Sequence, residues 1–510
     1  MNGVFDLWVV LPTVTVAVYA LLLLVLSPAL RGSRHMPAGI ATMAILLAGA
    51  AIWRDWGLDA STAYGMVQAD SFSRCFHLAF LATGLMAVLL SSQYLERVRA
   101  HHAEYYALIL IALAGMMTMS ASANLLVLFT GLEMLSIPLY VLSGLTRTRP
   151  RSVESSLKYF LLGAFSTGFV VYGLALIYGA TGTLDVTEIV AARATAPLLL
   201  AGMGLVFIGF AFKVAAVPFH AWAPDVYQGA PTVVTAFMAA GTKAAAFAAL
   251  LRILVSGFAG ANTAVAWTNL AAVLAVLTMT VANVTALAQT NVKRMLAWSS
   301  VAHAGYLLIA LATVGRGIVD RGAGEITDGG PAAGAQALGF YLISYAFMTA
   351  GAFGVAMLVG RDAGPDAAEQ AHAPAADAHG DEGYSLAAYD GLGRRRPALA
   401  AAMTIFMLSL AGLPPTAGFI GKFYIFKGAV DVGLLGLAIA GGLNAVIGAA
   451  YYLRIVVAMY FKPATDDTAG APATASSAAA LVVAVGGTLV LGLAPGPVLA
   501  LAREIYGALR

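Results

Sequence analysis

The sequence predicts an all-α polytopic membrane protein of about 14 transmembrane helices, on three observations. Of its 510 residues, 60% are hydrophobic and only 10% charged, with a mean hydropathy of +0.85. A soluble domain carries about 25% charged residues. Apolar runs of about 20 residues, long enough to cross hydrocarbon, recur from Asp6 to Arg503 with short polar loops between them. Six ionisable side chains interrupt those runs: Glu133, Lys158, Lys213, Lys243, His303 and Lys422.

In chain order the runs fall at roughly 6–28, 37–54, 71–92, 105–121, 123–145, 156–180, 196–217, 231–257, 263–288, 294–314, 336–359, 397–427, 432–461 and 475–503. The first follows an acidic start without a basic flank or cleavage site, so it reads as a retained span. Only the Ser120–Ala123 stretch divides the fourth from the fifth. Pro218 in the seventh run, and Gly412, Pro414 and Pro415 in the twelfth, remove backbone hydrogen bonds, so both spans are expected to be discontinuous. Five spans separate them. An odd separation means opposite directions through the membrane, the sign of inverted-topology repeats.

Loops after odd-numbered spans hold about fourteen basic residues against about nine on the other side, which puts both termini outside. The stretch 361–396 is long and polar. Its His372, Asp377, His379, Asp381 and Glu382 could be drawn as a metal cluster, but the Ala/Gly/Pro background favours a solvated linker. A second linker of this kind runs over 462–477.

The net charge of +3 is too small and too dispersed for nucleic acid. A single cysteine, Cys75, excludes an intrachain disulfide, a CxxC pair and a cysteine-ligated cluster. No glycine-rich phosphate loop occurs in a strand-to-helix setting.

Bringing a charge to the bilayer centre costs roughly 2.5–3.5 kcal/mol on insertion scales, so such groups pair or handle ions. Glu133 sits mid-span and must be protonated or face a cation; the plain alternative is a buried pair locking two helices. Lys213 precedes Pro218 by five residues, beside the expected break. Lys243 lies among small residues that leave room for water, and His303 has Ser299, Ser300 and Tyr306 for company. Taken alone, His303 also fits a satisfied structural histidine; in series with lysines it fits a relay. Lys422 reaches mid-depth only if its span breaks at the prolines. Lys158 forms an i,i+4 pair with Glu154: either a helix-end salt bridge, or a side chain that swings toward Glu133. Lysine can release a proton and arginine cannot, and three of the seven lysines lie well inside spans.

Four blocks carry a family resemblance: GLEMLSIPLYVL around Glu133, PFHAWAPDVYQGAPTVVTAF (218–237), QTNVKRMLAWSSVAHAGY (289–306) and GLPPTAGFIGKFYIF (412–426). They resemble the antiporter-like membrane subunits of bacterial NADH:quinone oxidoreductase (respiratory complex I), and among these subunit N. The resemblance implies two inverted five-helix repeats, with helices 1–3 over 1–104, repeats over 105–258 and 259–461, and a linker and last helix over 462–510. It also implies a proton path through Glu133, Lys158, Lys213, Lys243, His303 and Lys422. The subunit would belong to a proton-translocating oxidoreductase of the bacterial inner membrane and do no redox chemistry itself. NADH, FMN, iron–sulfur clusters and quinone would be handled by other subunits, and its partners would be neighbouring membrane-arm subunits, lipid and protons. Two rivals stand beside this reading: a subunit of a multisubunit cation/proton antiporter, and a purely structural subunit.

Overall fold

The computed structural model describes residues 6–30, 33–98, 102–191, 197–322, 329–360, 384–464 and 473–509. His372, Asp377, His379, Asp381 and Glu382 lie outside these described residues.

Helices α1 (Leu7–Leu30), α2 (Met36–Arg54) and α3 (Ser71–Arg97) come first, with a small hairpin, β1 (Ala60–Thr62) and β2 (Val67–Ala69), before α3. Then come α4 (Ala103–Ala121), α5 (Leu125–Ser143), α6 (Pro150–Thr181), the short α7 (Val186–Ala191), α8 (Pro197–Lys213), α9 (Trp222–Gly229), α10 (Thr232–Phe237) and α11 (Lys243–Gly257). The second half holds α12 (Ala261–Leu287), α13 (Val292–Gly322), α14 (Gly330–Val359), α15 (Pro397–Ala411), α16 (Ala417–Asp431), α17 (Leu435–Phe461), α18 (Ala475–Leu493) and α19 (Gly496–Gly507).

Among the described residues, 12 helices are long and apolar enough to cross a membrane, counting α10 through α11 as one continuous span. The two interrupted spans, α8 with α9 and α15 with α16, complete the fourteen. Burial is graded across them. The segments around α11, α13 and α14 are almost entirely enclosed, whereas α1, α2, α6 and α17 turn apolar side chains outward as lipid-contacting helices do.

Glycines let the helices pack closely. A Cβ at Gly115 of α4 would stand 2.5 Å from the backbone of Leu135 on α5, and one at Gly305 of α13 would stand 2.8 Å from that of Met279 on α12. The α4–α5 and α12–α13 contacts thus recur in the two halves, as do the interrupted spans that follow them. The fourth and fifth runs are separate helices, divided at Ser122–Asn124, where the Asn124 side chain accepts from the Leu126 amide and caps α5.

Three features differ from the sequence reading. The hairpin before α3 was not expected, because its strands are only three residues each. The last run is two helices: the chain breaks at Ala494–Pro495, and α19 folds back against α14 and α3. The described end of the 361–396 linker is ordered. Tyr384 is 3% exposed and its hydroxyl contacts that of Thr232, and a helical turn follows at Leu386–Tyr389.

Asp70 ties the hairpin end to the bundle. Its carboxylate caps α3 through the Ser73 amide and receives the Arg252 guanidinium of α11 at 2.8 Å, both side chains being buried.

Candidate proton-relay site

The first break forms where Pro218 has no amide proton to continue α8. The chain leaves the helix through Ala215 in the left-handed region (φ 59°), and Val217–Pro218 is cis. Side chains from elsewhere satisfy the freed backbone. The Val217 amide donates to Thr278 Oγ1 of α12 at 3.0 Å, and the Trp222 indole donates to the Phe212 carbonyl at 2.9 Å. Lys213, the last residue of α8 and 4% exposed, donates to Ser136 Oγ at 2.7 Å and to the Tyr140 hydroxyl at 3.4 Å, both on α5. Its ammonium also lies over the rings of Tyr140 and Tyr159 at 5.5 and 5.7 Å.

Glycine makes the second break. Gly412, at φ +88°, ends α15, and a Cβ there would strike Lys422 Cδ at 2.8 Å. Pro414–Pro415 is cis, and α16 restarts at Ala417. Lys422, 5% exposed, reaches back and donates to the carbonyls of Leu410 and Ala411 at 2.9 and 3.0 Å, capping the broken end of α15. The break therefore brings Lys422 into the core, as the prolines implied.

Lys243 opens α11 directly after a π-helical turn at Met238–Thr242. Widened turns of this kind recur at functional sites. It is 1% exposed and donates to both the carbonyl and the hydroxyl of Ser300 on α13, the latter at 2.7 Å. His303, one turn further along α13 and 1% exposed, has each ring nitrogen on a tyrosine hydroxyl: Nδ1 on Tyr341, and Nε2 on Tyr452 at 3.0 Å. Tyr345 closes the interval, with its ring 5.6 Å from the Lys243 ammonium and 5.1 Å from the His303 ring. On the other side, the Tyr306 ring packs 5.6 Å from His303, and Lys422 lies 4.8 Å above it. A hydrogen bond at Ser300 and a series of aromatic ring contacts around His303 thus join Lys243 to Lys422.

Lys213 and Lys243 are joined less directly. The Tyr159 ring stacks on Trp222 at 4.7 Å, Trp222 meets Tyr227 at 5.8 Å, and the Tyr227 hydroxyl faces Thr242 and Ser300. Helix α9 therefore stands as an aromatic wall between the two lysines.

Glu133 and Lys158 sit apart from this core. Glu133 is mid-span on α5, but it is half-buried on the outward stripe shared with Leu126 and Ile137, and it accepts from Thr167 Oγ1 of α6 at 2.9 Å. Among the described residues it forms no ion pair within 4.0 Å; Ser136, which receives Lys213, lies one turn away on the same helix and donates to the Leu132 carbonyl. Lys158, with 41% of its side chain exposed, pairs with Glu154 at 2.6 Å and with Asp225 of α9 at 2.8 Å. The structure thus holds it in the helix-end arrangement, not beside Glu133.

Asp225 also receives Arg294 of α13 at 2.7 Å. Arg151, Glu154, Lys158, Asp225, Gln228 and Arg294 line an open cavity of about 200 Å³.

Sequence reasoning missed Tyr341, Tyr345 and Tyr452. Their one available signal was tyrosine placed deep in apolar runs, where its hydroxyl needs a partner. Among the described residues, no cluster of His, Cys, Asp and Glu could hold a metal ion.

Residues 122–448 match a family described as NADH:quinone oxidoreductase/Mrp antiporter, transmembrane. The NADH-quinone oxidoreductase subunit N of Trichlorobacter lovleyi is 45% identical over 505 residues, covering 98% of this chain and 96% of that protein. A second relative of that name, from Roseiflexus castenholzii, is 42% identical over 96% of this chain and 94% of its own length. A chain of respiratory complex I from Thermus thermophilus, solved with bound aureothin, superposes with a TM-score of 0.78 at 36% identity, over 96% of this chain and 98% of that one. A chain of the Mrp complex from a Dietzia species shares the fold, with a TM-score of 0.80 at 21% identity over 99% and 98% of the two chains. The chain belongs to the NADH:quinone oxidoreductase/Mrp antiporter family of transmembrane subunits, on its subunit N branch.

Proposed function

We propose that this chain is a proton-translocating membrane-arm subunit of a bacterial inner-membrane NADH:quinone oxidoreductase, working beside the other antiporter-like subunits. The observation that carries the reading is the string from Lys243 through Ser300, Tyr345, His303 and Tyr306 to Lys422. Neutral dipoles and ring faces hold its lysines, and no carboxylate locks either of them among the described residues. A lysine held this way exchanges its proton at less cost than one bound in a buried ion pair. An imidazole with a hydroxyl at each nitrogen takes a proton on one and releases it from the other.

In this reading protons enter at the cavity lined by Lys158, Asp225 and Arg294, on the inner side by the distribution of basic loops. They reach Lys213 or Lys243, cross through His303 and leave outward beyond Lys422. Glu133, one turn from the Ser136 that holds Lys213, biases the first step through its charge. Moving one charge against 100 mV takes about 2.3 kcal/mol. Quinone reduction elsewhere in the complex supplies that energy. Relatives named for the oxidoreductase, matched along nearly the full length, support this setting over a free-standing antiporter.

The deciding experiment measures proton release per electron in vesicles carrying Lys213→Ala or Lys243→Ala, with quinone reductase rate and assembly followed in parallel. Assembled complex with a reduced ratio is expected. Full pumping by both variants would leave the chain a scaffold.

A further inference from the structure

Asn283 of α12 lies beside the relay, 1% exposed, and the path described above makes no use of it. Its surroundings are built for it. A Cβ at Gly448 of α17 would come within 3.3 Å of Asn283 Oδ1, so glycine leaves the amide its room. Asn283 Oδ1 accepts from the Tyr451 hydroxyl at 3.1 Å, while Nδ2 donates to the Tyr306 hydroxyl and to Asn444 Oδ1, each at 3.3 Å. Asn444, 5% exposed, donates in turn to Thr280 Oγ1 at 3.2 Å and to its own helix at the Ala440 carbonyl at 3.0 Å.

That last bond sets the polarity of the cluster. A carbonyl can only accept, so Asn444 must present Nδ2 to Ala440 and Oδ1 to Asn283. Asn283 must then present Nδ2 to Asn444, and with its other amide proton to Tyr306. Its Oδ1 faces Tyr451, which has to donate. Both tyrosines border the relay. Tyr306 lies between His303 and Lys422, and Tyr451 packs 4.3 Å from Tyr452, whose hydroxyl contacts His303. With one lone pair of its oxygen taken by Asn283, Tyr306 must direct its own proton away from the amide.

We propose that Asn283 is a positioning residue for proton transfer between His303 and Lys422, fixing which way the Tyr306 and Tyr451 hydroxyls point. The proposal rests on the relay reading given above. It assigns no proton to Asn283 itself: the amide sets donor direction and ends each cycle unchanged.

The test uses the whole complex in vesicles, with proton release per electron as the readout alongside assembly. Asn283→Asp keeps the shape but can only accept when ionised, and Asn283→Leu keeps the volume without polarity. Each is expected to lower the ratio about fivefold, the factor equivalent to ~1 kcal/mol for one lost hydrogen bond. Asn444→Leu leaves Asn283 in place but unpins it, so a smaller fall is expected; it also decides the matter if the Asn283 variants do not assemble. A role in packing alone would leave the ratio of assembled Asn283→Leu unchanged. Wild-type ratios in every variant that assembles would overturn the proposal. Lys243→Ala separates the two readings: if it pumps fully, the relay itself is wrong, and if it alone fails to pump, only the role of Asn283 falls.

Discussion

The two interrupted spans answer one requirement in two ways. At the first, Lys213 ends the leading half-helix and donates sideways to Ser136 and Tyr140 of α5. At the second, Lys422 sits in the trailing half-helix and donates backward to Leu410 and Ala411 of its own span. Both leading half-helices close with i,i+4 and i,i+5 backbone bonds, but beyond these the Phe212 carbonyl of α8 receives a tryptophan indole, whereas Leu410 and Ala411 of α15 receive the ammonium. Lys213 is therefore free to follow α5 and Glu133, whereas Lys422 cannot move without uncapping a helix.

The largest expected effect bears on the segment between the two breaks. Replacing Lys243 with Met should cut proton release per electron at least about tenfold, a barrier change of ~1.4 kcal/mol, in complex that still assembles. Vesicle acidification with simultaneous electron-transfer assay checks it, and unchanged pumping would dissolve the continuity claimed for that string.

Next comes the asymmetry itself. Lys422→Met removes two charge-assisted bonds to otherwise unpaired carbonyls and should destabilise the assembled subunit by about 3 kcal/mol. Lys213→Met loses hydroxyl contacts that can pair elsewhere and should cost about 1 kcal/mol. Thermal melting of the purified complex reads both, and equal losses would refute the contrast. Lys422→Arg sharpens it: the cap is kept, so melting is near normal, but guanidinium does not give up its proton and pumping falls.

A smaller effect is expected at Glu133. Glu133→Gln retains an acceptor for Thr167 and, without a direct ion pair to break, should slow pumping only about threefold, less than 1 kcal/mol.

The smallest concerns Asp225. Asp225→Asn removes the charge that Lys158 and Arg294 share at a partly exposed site, so it should lower the melting stability by only about 0.5 kcal/mol. A loss as large as that of Lys422→Met would contradict this ranking.

Much of this was legible in sequence for physical reasons that can be named. Pro218 beside a buried lysine, and Gly412, Pro414 and Pro415 crowded within four residues, strongly disfavour an uninterrupted helix, so both breaks were readable. Lysine is so costly in hydrocarbon that Lys213, Lys243 and Lys422 announced themselves. The connecting tyrosines did not, since an aromatic ring counts as apolar in any hydropathy pattern. The outward placement of Glu133 was hidden too: depth follows from counting residues, but facing depends on which neighbours a helix acquires. The π-helical turn before Lys243 left no readable mark, because nothing in MAAGT forbids an ordinary turn.

That widened turn acquires a mechanical meaning beside the Asp70–Arg252 clamp. Arg252 moors the far portion of α11 to the hairpin, while the loosened coil lies at its near end, about 13 Å from the mooring at 1.5 Å per residue. The departure from regular winding thus falls immediately before Lys243, between the anchored rod and α10, and the lysine that follows it is held by Ser300.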